Sequence, residues 1–167
     1  FEHANEGLTP RPQDQYRHMA MSSVGTHDLP PTLAFLRGDH IALRARLGLL
    51  TRPVAEEEAE DRAWQEEVKD NLQAYGMLEN RENEEDVLVA LHRYIAGTPS
   101  ALTVTNVVDM VGDVRAQNQP GTTKDQYPNW CIPLCNTAGE PVLLEDLPKQ
   151  ELYQRLAQAA KRPGAEH

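Results

Sequence analysis

The sequence predicts a mostly helical chain with a few short strands. Two segments, 54–75 and 84–96, carry apolar residues at helical spacing. A short β-branched run at 102–108 reads instead as a buried strand. No apolar stretch approaches the ~20 residues that a membrane-spanning helix needs.

Length and charge narrow the class further. The chain has 167 residues, enough for one ordinary domain with a sizeable core. Apolar residues make up 40%, and they recur along most of the chain, which favours a soluble globular protein over a disordered one. Sixteen Lys and Arg stand against 26 Asp and Glu, a formal net charge of −10. Such a surface repels phosphate backbones and anionic lipid headgroups, so neither nucleic acid nor a membrane is an expected partner. The polar start, Phe1 to Gly7, has no apolar core and does not read as a signal peptide. A start at Phe1 with no initiator methionine is expected of a fragment, a processed product or a chain released from a tag. Cys131 and Cys135 flank Pro133, which disfavours a regular helix presenting both. They are expected to be ordinary reduced thiols of a cytoplasmic protein, with no metal.

Residues 1–13 read as a loop punctuated by Gly7, Pro10 and Pro12. An apolar stretch from Tyr16 ends in a short strand around Val24, with Thr26 to Asp28 at its C-terminal end. Pro30-Pro31 favours the start of a helix continued by Thr32 to Arg37. A second helical piece covers Ile41 to Leu50 and is stopped by Gly48 and Pro53. The clearest helix is 54–75, with Trp64, Val68, Leu72 and Tyr75 on one face and acidic residues crowding its first half. Gly76 ends it. Asn83 is positioned to cap the next helix, 84–96, and Gly97 to stop it. This acidic helical pair is expected to be a solvated surface. Leu102 to Val108 forms the second strand, and a long loop rich in amides, Pro and Gly follows from Gly112 to Pro133. A loop of that length inside a compact chain is usually functional or disordered, and Tyr127 and Trp130 favour function. An amphipathic helix from Pro148 to Lys161 closes the chain. Strand, helices, strand, loop and helix are consistent with the last quarter of a (β/α)₈ barrel, although two strands cannot close a sheet.

Two stretches carry chemistry. In Ser23-Val24-Gly25-Thr26-His27-Asp28-Leu29-Pro30-Pro31, a His-Asp pair ends a strand, where barrel enzymes place catalytic groups. A carboxylate there can hold sugar hydroxyls as positive charge develops at a neighbouring carbon, and imidazole can donate to another hydroxyl. The bland alternative makes Asp28 a helix N-cap and His27 a loop residue. The second stretch runs from Gly112 through Arg115-Ala116-Gln117-Asn118-Gln119-Pro120-Gly121-Thr122 to Tyr127-Pro128-Asn129-Trp130. Amides offer donors and acceptors to sugar hydroxyls, and aromatic faces stack on pyranose rings. Equally, the amides can satisfy the loop's own backbone.

Taken together, Thr26-His27-Asp28-Leu29-Pro30, Arg115 to Thr122 and Tyr127-Pro128-Asn129-Trp130 resemble the 4-α-glucanotransferases of the amylomaltase type. Order and separation agree, and Phe1-Glu2 lies upstream as in that family. The resemblance spans essentially the whole chain. It implies an α/β fold: the C-terminal part of a (β/α)₈ TIM barrel, with residues 1–167 as one domain, 54–97 a helical insertion and 112–133 an active-site loop. It also implies transfer of α-1,4-glucan segments between maltooligosaccharides by a retaining double displacement, without a cofactor. Asp28 matches the catalytic Asp that binds hydroxyls in the −1 subsite, His27 the His beside it, and Asn118 and Pro120 the loop lining the same cleft.

The family's nucleophile and acid/base lie on earlier strands, and nothing in this chain matches either. Asp39, Asp109, Asp113, Glu140 and Glu145 lack the flanking residues. The chain by itself is therefore expected to be inactive and to bind glycan weakly. Two other readings stand beside this one: a non-catalytic acidic helical interaction module, and part of an α-amylase-type hydrolase. A barrel piece would also expose strand edges. Self-association, or a rearranged and mainly helical fold, is the expected consequence.

Overall fold

A computed structural model describes residues 9–162. Six α-helices and two short parallel strands are described there: β1 (Met21–Ser23), α1 (Thr32–Arg37), α2 (Asp39–Arg46), α3 (Val54–Ala74), α4 (Glu84–Ala96), β2 (Leu102–Val104), α5 (Val107–Val111) and α6 (Glu151–Ala159). Short 3₁₀ turns cover Gln13–Gln15 and Leu144–Lys149. Phe1-Glu2 and most of the 1–13 loop lie outside the described residues.

α4, expected to be half of a solvated helical pair, is instead the centre of the fold, covered on two sides. Nine of its residues are buried, more than on any other helix described. One face packs with Val68 and Leu72 of α3 and with Tyr16. The opposite face, through Leu88 and Val89, meets Leu33 of α1 and Leu152, Leu156 and Ala159 of α6. A helix apolar on both sides must be covered on both sides, and here α3 and α6 do so. Its N-terminus is capped as the sequence predicts, with Asn83 Oδ1 accepting from the amides of Glu85 and Asp86 at 2.9 and 3.1 Å. Gly97 follows α4, but with φ −82°, so its value is not left-handed freedom. A Cβ there would sit 2.3 Å from Gln13 Nε2.

The acidic face of α3 is largely matched by cations. Arg52 pairs with Glu57 and Glu60, and Arg81 with Glu66 and Asp70. Exposed pairs of this kind add little stability, but they leave α3 a solvated, locally neutralised surface.

Strands β1 and β2 pair in parallel, Met21 with Leu102 and Ser23 with Val104. Ser22 turns inward, and its hydroxyl lies 2.6 Å from that of Ser100. The outward residues Met21, Leu102 and Val104 are exposed, so β2 is not the buried strand that its β-branched residues predict. The fold is not rearranged to avoid this sheet, which corrects one of the two outcomes expected for exposed edges.

Several boundaries differ from the sequence reading. The second helix covers Asp39–Arg46, where Ile41 to Leu50 is expected. The first strand ends at Ser23, just before Val24. The final helix begins at Glu151, with Pro148 in the preceding 3₁₀ turn. The strand expected over 102–108 stops at Val104, and Val107–Val111 is helical. Local β-branching is overridden there because a helical turn carries Asp109 inward and Val111 into the core. Gly112, at φ 74°, then reverses the chain. A Cβ at this position would lie 2.4 Å from Thr137 Cγ2, so only glycine fits.

Candidate functional site

The chain leaves β1 and enters a tight turn in which the Leu29 amide donates to Thr26 O at 3.1 Å. This turn presents His27 and Asp28, both more than half exposed. It is held at both ends. Before it, Asn106 Nδ2 donates to Gly25 O at 2.9 Å, tying it to the end of β2. After it, Asp109 accepts from the Thr32 amide and hydroxyl, each at 2.8 Å, fixing the first turn of α1. Asp28 makes no cap to α1, whose N-cap position is Pro31 without a side-chain bond. That removes the bland explanation of Asp28.

The amide-rich loop reaches the same place. Asn118 Nδ2 donates to Asp28 Oδ1 at 2.6 Å across 90 positions of sequence. Pro120 lines the cavity beside them. On the other side of Asp28, His27 Nε2 lies 3.3 Å from Asp28 Oδ2. The imidazole is also 5.3 Å, centroid to centroid, from the Trp130 indole. The structure therefore gathers Asp28, His27, Asn118 and Pro120, and adds Trp130.

Most other polar groups of the loop hold the loop itself. Asn129 Oδ1 accepts from the Gln119 amide at 2.7 Å, and its Nδ2 donates to Thr122 Oγ1 at 2.9 Å. The Tyr127 hydroxyl donates to Ala116 O, and burial pushes its pKa up, which keeps the phenol protonated. Asp113 is the anchor at the loop's base. It takes both arms of the Arg115 guanidinium, at 2.9 and 2.7 Å, and the Cys135 amide at 3.0 Å. These bonds separate the amides residue by residue: Asn129 is bonded within the loop, and Asn118 is bonded to Asp28.

Trp130 is exceptional on two counts. It is 63% exposed, and its φ of 61° puts a bulky residue in the left-handed region. Such strain in a non-glycine residue clusters at functional sites. Its amide donates to Gln117 O at 2.8 Å, which helps fix the conformation.

Asp109 went unrecognised in the sequence as a supporting group. It is 2% exposed, and its second oxygen lies 3.8 Å from buried His92 Nε2. Burial pushes the carboxyl up and the imidazole down, so each opposes formation of its own charge. The only sequence sign was a carboxylate inside an otherwise apolar run.

The site opens into a cavity of about 450 Å³ between α1, α2, α3 and α4. Among the described residues, no three His, Cys, Asp or Glu gather where an ion could sit. Cys131 and Cys135 are free thiols. No described helix is long and apolar enough to cross a membrane.

Comparison with known proteins bears on this arrangement. Residues 1–137 match the family described as 4-alpha-glucanotransferase. The chain is 45% identical over 159 residues to the 4-alpha-glucanotransferases of Mycobacterium tuberculosis and Mycobacterium bovis, covering 92% of this chain and 21% of theirs. It is 50% identical to the crystal structure of amylomaltase from Corynebacterium glutamicum, with a TM-score of 0.90 over 98% of this chain and 25% of that one. The chain thus spans about a fifth of the length of the curated relatives it matches.

Proposed function

The chain belongs to the 4-alpha-glucanotransferase family, and from that premise we propose that it forms the C-terminal part of a (β/α)₈ barrel that transfers α-1,4-glucan segments between maltooligosaccharides. In this reading β1 and β2 are two neighbouring barrel strands, residues 54–97 a helical insertion and residues 112–133 the loop over the cleft. Residues 1–167 belong to one domain, working in the cytoplasm without a cofactor.

The observation that carries the proposal is the 2.6 Å bond from Asn118 to Asp28. It brings the two distant stretches together at one carboxylate, with Asn118 on one Asp28 oxygen, His27 Nε2 3.3 Å from the other, and the residue still half exposed. Asp28 would accept hydrogen bonds from two hydroxyls of the sugar in the −1 subsite. These bonds strengthen as the ring becomes oxocarbenium-like. His27 would grip a neighbouring hydroxyl, Trp130 would offer an apolar face, and Asn118 and Pro120 would shape the wall.

Retaining transfer also needs a nucleophile and an acid/base about 5–5.5 Å apart. Buried Asp109 and Asp113 are committed to Thr32 and Arg115, and Glu140 accepts from Asn136. The chain alone is therefore proposed to be inactive. The open, apolar edges of the two-stranded sheet would be covered by further strands or, in their absence, by self-association. A maltotriose disproportionation assay on this chain, with Asp28→Asn beside it, tests the reading. No turnover together with measurable maltotriose binding, weakened by Asp28→Asn, supports it. Turnover abolished by Asp28→Asn would place all three carboxylates in these residues and overturn the division of labour.

A further inference from the structure

The turn that carries His27 and Asp28 is unequally stiff at its two ends. Downstream, Pro30 and Pro31 each fix a φ angle, and Asp109 holds Thr32 by two bonds of 2.8 Å. Upstream stands Gly25, the residue type with the widest choice of backbone angles. Rotation there would swing His27 and Asp28 together, because the Leu29 amide closes the turn onto Thr26 O at 3.1 Å.

Two donors restrain that glycine. Its carbonyl accepts from Ser23 Oγ at 2.8 Å and from Asn106 Nδ2 at 2.9 Å. Ser23 lies two residues back on the same segment, so its bond is local. Asn106 reaches across 81 positions, from just beyond β2, and ties the turn to a separate element.

Asn106 forgoes a nearer set of partners to do so. It occupies the N-cap position of α5 with extended backbone, φ −74° and ψ 135°, yet makes no side-chain cap. An Asn there ordinarily accepts from amides of the first turn. Asn83 does so at the start of α4, with the amides of Glu85 and Asp86. A side chain serving its own helix alone would cap it. Three residues further on, Asp109 of the same helix holds Thr32, so α5 grips both ends of the turn.

We propose that Asn106 is a positioning residue for sugar binding: by holding Gly25 O it sets the direction in which His27 and Asp28 face the substrate. The inference rests on the reading that their turn binds a glucosyl unit. α5 then acts as one clasp, with Asn106 at the glycine end of the turn and Asp109 at the proline end.

Asn106→Asp separates positioning from stability, because the two respond differently. The carboxylate keeps the shape of the amide and loses the donor, but it is an equally good N-cap. The melting temperature of the 167-residue chain should therefore hold or rise. Exchange of the Leu29 amide, followed by NMR, should quicken, while that of the Thr32 amide stays slow. Maltotriose affinity should fall roughly threefold to tenfold, the share of correctly oriented turn lost with one hydrogen bond. Adding Gly25→Ala should restore part of that loss. A Cβ there meets nothing nearer than Asn106 Nδ2, at 3.7 Å, and it removes the glycine's freedom. Melting and affinity that fall together would make Asn106 a scaffold residue and overturn the inference. Unchanged exchange at Leu29, unchanged affinity once that amide is freed, or no recovery in a folded double variant would each overturn it and leave the sugar site standing. A parent chain that does not bind maltotriose would overturn the sugar site itself and this inference with it.

Discussion

Asp109 holds Thr32 by two hydrogen bonds of 2.8 Å, one from the backbone amide and one from the hydroxyl, across 77 residues of sequence. The pair is wholly buried, and α1 begins there, one turn after Asp28. A residue outside the site thus fixes where the site's carboxylate stands.

Asp109→Ala should accordingly be severe. It leaves the Thr32 amide and hydroxyl buried without partners, at about 1–3 kcal/mol for each orphaned group. At roughly 2–4 °C per kcal/mol for a chain this size, the melting temperature should fall by several degrees in calorimetry. Asp109→Asn keeps an acceptor for the amide and should fall less. Equal losses in the two variants would mean that the hydrogen bonds are not what matters.

Asn118→Ala should behave differently. Its bond to Asp28 is exposed, and exposed polar contacts seldom change stability by more than about 0.5 kcal/mol. Melting should be unchanged, while maltotriose binding, followed by calorimetric titration, should weaken several-fold. A large loss of stability with unchanged binding would assign Asn118 to the scaffold.

Trp130→Asn separates strain from function. The left-handed conformation costs an L-residue roughly 1–2 kcal/mol, and Asn tolerates it better. With the indole 63% exposed, little burial is lost. Stability should hold or rise while maltotriose affinity falls. A destabilised variant would show that the indole's contact with His27 outweighs the backbone strain.

Acid should weaken the fold through His92. Its pKa is lowered below the ordinary imidazole value of 6.5, first by burial, against smaller upward effects of Leu88 O and Asp109. The unfolded chain therefore binds the proton more readily, and stability falls as pH drops below about 6.5. Asp109, whose carboxyl is raised by burial, acts in the opposite sense. Melting curves at pH 7.5, 6.5 and 5.5 should show a shallower decline in His92→Gln than in the parent chain. Parallel declines would exclude His92 as the source.

Asp113→Ala should loosen the long loop. Arg115 would lose its forked partner and the Cys135 amide its acceptor. Limited proteolysis should then cut between 112 and 133 much faster than in the parent chain. Unchanged cleavage would mean that Asn129 and Tyr127 suffice to hold the loop.

The helices other than α5 were legible in the sequence because each is written in local terms. Val68 and Leu72 recur at helical spacing and are buried in α3, and Asn83 caps α4 through its own side chain. The residues proposed for the site were legible too, as two motifs in a fixed order. Sequence alone did not say whether Asp28 capped a helix or which amide of the loop faced it, because both outcomes suit the same residue types. Tertiary structure decided these by bringing Asn118 across 90 residues to Asp28. It also turned Val107–Val111 into a helix so that Asp109 could reach Thr32. The reason is physical: a helix is specified by neighbours three and four apart, whereas the partner of a buried carboxylate is set by whichever distant donor the packing delivers to it.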